Sequence, residues 1–170
     1  MNQTTRLMVD LDVVFDEHYT GLVRYVRRLT GDADVAEDIA QEAMVRLYDR
    51  QVSGTDAGVR AWLYKTATHL VRDRYRVNSN RARLLERHPV RPTAPDLPDR
   101  SLERGEARTA AREALDALPD RDREILLMRY SGFSYKEIAS VVGVAATSVG
   151  TLLARAEQRF AEVVSAGEPA

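Results

Sequence analysis

Apolar residues recur at steps of three and four along most of the chain, and those steps predict helices. Tyr19, Leu22, Val23, Val26 and Leu29 make one stripe, and Thr30-Gly31-Asp32 predicts where that helix ends. Ile39, Ala43, Met44 and Leu47 make a second. The run Ser53-Gly54-Thr55-Asp56-Ala57-Gly58 reads as a turn-rich loop. Val59, Trp62, Leu63, Thr66 and Leu70 place a third helix after it. Further on, a helix is expected near Glu106 to Leu118, stopped by Pro119. Asp120 is then a candidate cap for a helix carrying Ile125, Leu126 and Met128, with Ser131-Gly132-Phe133 as the next break. No strand pattern survives, so the expected fold is all-α.

Between the two helical halves, His88 to Ser101 holds Pro89, Pro92, Pro95 and Pro98 at every third position. Proline has no N–H and disfavours helix in the residue before it. The three-residue period matches an extended polyproline helix. The expected organisation is two small helical domains, 13–87 and 102–165, joined by a Pro-rich linker 88–101. A flexible N-terminus 1–12 and a tail 166–170 complete it.

Composition narrows the possibilities. Among 170 residues 44% are hydrophobic and 30% charged, a globular balance. There is no cysteine, so neither a disulfide framework nor a thiolate metal site can form. His18, His69 and His88 show no ligand spacing, and no metal site is expected. No apolar run approaches a membrane span and the N-terminus lacks a signal-peptide core, so no membrane insertion and a cytoplasmic location are expected. The net charge of -1 hides segregation. Between Arg60 and Arg91 basic residues dominate, whereas between Asp32 and Asp56 acidic ones do. That is either two solvated helix faces or two surfaces for different partners.

The segment Ser134 to Phe160 carries the clearest chemistry. Ser134-Tyr135-Lys136-Glu137 has the form of a capping box, in which hydroxyl and carboxylate each satisfy an orphan N–H. A short helix with Ile138, Ala139 and Val142 follows; Gly143 permits a left-handed turn. A longer helix from about Ala146 then carries Val149, Leu152, Leu153, Ala156 and Phe160. Small Ala139, the glycine and the apolar spacing fit a helix-turn-helix; a plain helical hairpin is the alternative. Thr147, Ser148, Thr151 and Arg155 line the exposed side of the second helix, where hydroxyls and a guanidinium can meet base edges and phosphates.

With these motifs in order, the sequence resembles the bacterial sigma factors, and among them the extracytoplasmic-function group. Three stretches carry the resemblance: Asp34 to Ala43; Ala61 to Ala67 running into Asp73-Arg74-Tyr75-Arg76; and Leu118-Pro119 through the helix-turn-helix to Ala156. The resemblance implies that Asp38, Gln41 and Glu42 grip the clamp helices of core RNA polymerase, whose flap region is the expected second contact. Physically, carboxylates at i and i+4 share a face that can pair with arginines. It also implies a minus-10 promoter surface from Ser53, Thr55, Asp56, Trp62, Lys65, His69, Arg72, Arg74 and Arg76, with the loop capturing a flipped base. Trp62 on the apolar stripe reads first as core, and the loop reads also as a generic turn. Thr147, Ser148, Gly150, Thr151 and Arg155 would read the minus-35 duplex. An inhibitory anti-sigma protein is a further implied partner. Three positions depart from the family pattern: Gly150 and Leu152 stand where basic residues are usual, and His69 where asparagine is.

No phosphate-binding glycine loop, nucleophile–base pair or metal cluster appears in the sequence, so no catalytic residue and no cofactor is expected. Two rivals remain at this point. One is a helix-turn-helix regulator acting without polymerase. The other is an enzyme on a helical bundle using a Glu/His pair, for which Glu17 beside His18 is the available candidate.

Overall fold

The computed structural model describes residues 10–84 and 102–167, which fall in two units. The linker 88–101 with its expected polyproline form, residues 1–9 and residues 168–170 lie outside the described residues.

The first unit is three helices: α1 (Leu11–Thr30), α2 (Ala33–Asp49) and α3 (Asp56–Leu84), each packed on the other two. Helix α1 starts within the stretch expected to be flexible, because the Asp10 carboxylate accepts from the Asp12 N–H at 3.1 Å and caps it. Gly31 ends the helix with φ 74°, a left-handed conformation that glycine adopts without penalty. Asp32 caps α2 by accepting from the Val35 N–H at 3.0 Å, so the pair Gly31-Asp32 makes the whole turn. Leu22, Val26, Ala36, Ala40, Leu47, Leu63 and Ala67 fill the centre.

The buried face of α3 differs from the expected stripe. Val59, Leu63, Tyr64, Ala67, Thr68 and Val71 are buried, whereas Trp62, Thr66 and Leu70 are half-buried at its edge. Tyr64 and Thr68 lie outside the expected stripe, and their polar atoms are satisfied inside. The Thr68 hydroxyl donates to the Tyr64 carbonyl at 2.7 Å and lies 2.8 Å from the Tyr25 hydroxyl. Burial pushes the Tyr64 phenol above its ordinary pKa, with Arg60 pulling the other way.

The second unit has α4 (Leu102–Ala117), α5 (Asp120–Tyr130), α6 (Tyr135–Val142) and α7 (Ala146–Gly167), the last packed on all three others. Helix α7 runs on into the expected tail. Asp120 is not the cap of α5: it is the first helical residue, and Pro119 stands at the cap position with no side-chain bond. The α4–α5 corner is held instead by Arg123, only 2% exposed. Its guanidinium donates to the carbonyls of Leu115 at 2.8 Å, Asp116 at 3.2 Å and Leu118 at 3.1 Å. A side chain thereby satisfies the orphan carbonyls of a helix end. Asp122, also buried, pairs with Arg159 of α7.

Among the described residues there is no strand, and no single helix is long and apolar enough to cross a membrane. Helices α6 and α7 pass that test only as a pair bent by 87°, and their Ile138, Val142, Val149 and Leu153 are buried in the unit's core.

Candidate nucleic-acid interface

The capping box at α6 forms as expected. Ser134 Oγ accepts from the Glu137 N–H at 3.3 Å, and the Glu137 carboxylate accepts from the Ser134 N–H at 2.8 Å. Gly143 ends α6 with φ 74°, which allows the chain to turn directly into α7. Val149, Leu153 and Ala156 are buried beneath α7, while Thr147, Ser148, Thr151 and Arg155 are exposed. The expected reading line therefore stands on one solvent-facing side of a helix whose other side is locked into the core. Gly150 is half-buried; a Cβ there would meet the Tyr135 ring at 3.5 Å, so its open side faces α6 rather than the solvent.

In the first unit Asp38, Gln41 and Glu42 are exposed together on α2. They are not without partners in the chain. Glu42 accepts from Arg46 at 2.7 Å, and Asp38 lies 3.9 Å from Arg74 of α3. The second contact joins two residues whose implied partners differ, polymerase for Asp38 and DNA for Arg74. Such exposed pairs stabilise little and can be exchanged for a stronger partner. On α3, His69, Arg74 and Arg76 are exposed, while Trp62, Lys65 and Arg72 are half-buried. Trp62 is thus neither a core residue nor a freely projecting ring. Arg76 also bonds Asp73 at 3.1 Å.

The loop before α3 is more structured than a generic turn. Ser53, Thr55 and Asp56 are all exposed. Gly54 has φ 149°, and Thr55 caps the helix by accepting from the Gly58 N–H at 3.1 Å. Asp56 Oδ1 lies 2.6 Å from Nε2 of His18, a buried residue of α1. The carboxylate of Glu17 joins them, with the three ligand atoms within 4.8 Å of one another. Linear spacing does not connect His18 with Asp56, 38 residues away; only the fold brings them together.

Fold and site together define a helix-turn-helix DNA-binding protein with a second, separately charged helical unit. Comparison with known proteins makes this specific. The family model "Sigma-70 region 2" matches residues 14–81 and "Sigma-70, region 4" matches residues 108–160. The ECF RNA polymerase sigma factor SigD of Mycobacterium tuberculosis is 34% identical over 156 residues, covering 86% of this chain and 74% of SigD. The RNA polymerase sigma factor YlaC of Bacillus subtilis is 27% identical over 150 residues, 86% of this chain and 87% of YlaC. Among solved structures, the sigma factor RpoE in complex with the anti-sigma factor NepR from Bartonella quintana matches with a TM-score of 0.72 at 21% identity, covering 93% of this chain and 96% of that one. CnrH in complex with the cytosolic domain of CnrY matches with a TM-score of 0.67 at 20% identity, over 93% of this chain and 89% of that one.

The chain belongs to the sigma-70 family, in its extracytoplasmic-function group. Its function is polymerase-directed promoter recognition, with core RNA polymerase and promoter DNA as partners. The family consists of non-catalytic transcription initiation factors.

Proposed function

We propose that the two units divide this work residue by residue. The first, 13–87, docks on the polymerase clamp through Asp38, Gln41 and Glu42. It holds the melted minus-10 element with the 53–58 loop, Trp62, Lys65, His69 and the arginines Arg72, Arg74 and Arg76. The second, 102–165, meets the polymerase flap and reads the minus-35 duplex with Thr147, Ser148, Thr151 and Arg155. Residues 88–101 link the two. Unpairing needs no nucleotide hydrolysis on this reading, because the binding of unstacked bases offsets it. The chain itself is then no enzyme and acts in the cytoplasm. An anti-sigma protein covering its polymerase-binding face is a natural regulator; of the two similar solved structures, one is a complex with the anti-sigma factor NepR and the other a complex with the cytosolic domain of CnrY.

The observation that carries this reading is the exposed row Asp38, Gln41 and Glu42 on a helix otherwise sealed into the core by Ala36, Ile39, Ala40, Ala43 and Leu47. It also disfavours a free-standing regulator, which would need no such face. Reversing two charges tests it. Asp38→Arg with Glu42→Arg should abolish co-purification with core polymerase, while thermal stability shifts by no more than about 0.5 kcal/mol per exposed substitution. A double variant that retains wild-type core binding contradicts the assignment.

A further inference from the structure

Helix α1 buries Val14, His18, Leu22, Tyr25, Val26 and Leu29. An imidazole within that row is expensive unless its nitrogens are satisfied, and an aliphatic side chain would fit the stripe. The His18 bond to Asp56 leaves α1 altogether. Its Nε2 lies 2.6 Å from Oδ1 of Asp56, whose carboxylate is 66% exposed. A buried group thus holds a surface carboxylate at the first residue of α3.

The segment so held makes further bonds of its own. Gln51 at φ 47° and Gly54 at φ 149° bend the backbone on the approach. The Thr55 hydroxyl caps the helix by accepting from Gly58, and the Thr55 carbonyl accepts from the Val59 N–H at 2.9 Å. Beyond Asp56 the chain is α3, anchored by buried Val59 and Leu63. Ser53, Thr55 and Asp56 stay exposed on this fixed bend. Capturing a base requires hydrogen-bonding groups held to within about half an ångström, which surface loops rarely achieve unsupported.

From this we propose that His18 is a positioning residue for the base-capturing loop. It fixes Asp56, and through it the turn 53–58, in the form that receives an unstacked base of the melted strand. The inference rests on the reading of that loop given above and adds the residue that organises it. His18 touches no DNA; Glu17, near the same pair, strengthens the negative charge that the imidazole faces.

The test uses full-length protein assembled with core polymerase. The variants are His18→Leu, His18→Gln, Asp56→Ala and the double His18→Leu/Asp56→Ala. Three quantities are read: core affinity, permanganate reactivity of thymines on a promoter the wild type transcribes, and affinity for the single-stranded non-template oligonucleotide of that promoter. Loss of a hydrogen bond to a charged group should lower single-strand affinity and open-complex yield about tenfold in His18→Leu. Core affinity should stay within about twofold, because the polymerase face lies on α2. The Gln variant, which keeps an N–H donor, should recover most of the loss, and the double variant should be no worse than Asp56→Ala alone. If His18→Leu fails to fold, His18→Ala, which likewise offers Asp56 no N–H, takes its place in every comparison.

Wild-type single-strand affinity in both His18 variants, with that affinity lost in Asp56→Ala, overturns the latch and leaves the loop reading standing. Full additivity in the double variant also overturns the latch. Unchanged affinity in Asp56→Ala as well overturns the loop reading, and the latch with it.

Discussion

At Gly150 an added Cβ would meet Tyr135 Cε2 at 3.5 Å, an ordinary contact distance. Glycine in a helix interior is about 1 kcal/mol less favourable than alanine. Gly150→Ala should therefore stabilise the second unit by about that much, raising its melting temperature by roughly 4 °C. Because the open side faces α6, transcription from minus-35-dependent promoters should be unchanged. Calorimetry with run-off transcription checks both; a stabilised but inactive variant would mean that the DNA backbone needs the gap. The same substitution at Gly21 differs, since its Cβ would lie 3.1 Å from the hydroxyl of buried Tyr64. Single residues were legible where the signal is local: Gly31 and Gly143 at turns, Ser134 and Glu137 in a cap. Arg123 and His18 were not, because a polar side chain is read as surface until the fold supplies its partners.

At the scale of elements, the corner between α4 and α5 depends on one guanidinium reaching three carbonyls. Replacing it strands three acceptors, two part-buried and one buried, at a cost of about 1 kcal/mol or more each. Arg123→Met should lower the melting temperature of the second unit by more than about 10 °C. Arg123→Lys should recover only part, because an ammonium lacks the planar fork. A shift under about 2 °C for the Met variant would show that the corner is held by packing alone. The helices themselves were mostly readable from apolar spacing. The errors lie where polar residues do the packing: α3 turns its buried face toward Tyr64 and Thr68 instead of Thr66 and Leu70, and Asp10 starts α1 earlier than the apolar pattern does.

At the scale of the whole molecule, the segregation of acidic and basic residues along a chain of net charge -1 was the early sign of two partners. The linear sequence could place the acidic face on α2, the basic row on α3 and the hydroxyl line on α7, since each lies within one helix. It could not show that Asp38 approaches Arg74 at 3.9 Å or that Asp56 approaches His18 at 2.6 Å, because those pairings exist only after α1, α2 and α3 pack. The weakly basic recognition helix, with Gly150 and Leu152 among its positions, points to a protein that reads promoters while polymerase holds it there. Effective concentration then replaces intrinsic affinity. The most direct measurement of that claim is run-off transcription on genomic fragments, with purified core polymerase plus or minus this chain. Discrete transcripts that require the chain, and that disappear with Asp38→Arg/Glu42→Arg, are the predicted result. Core polymerase giving the same products with and without the chain, while the free chain binds specific duplex sites tightly by itself, would contradict it.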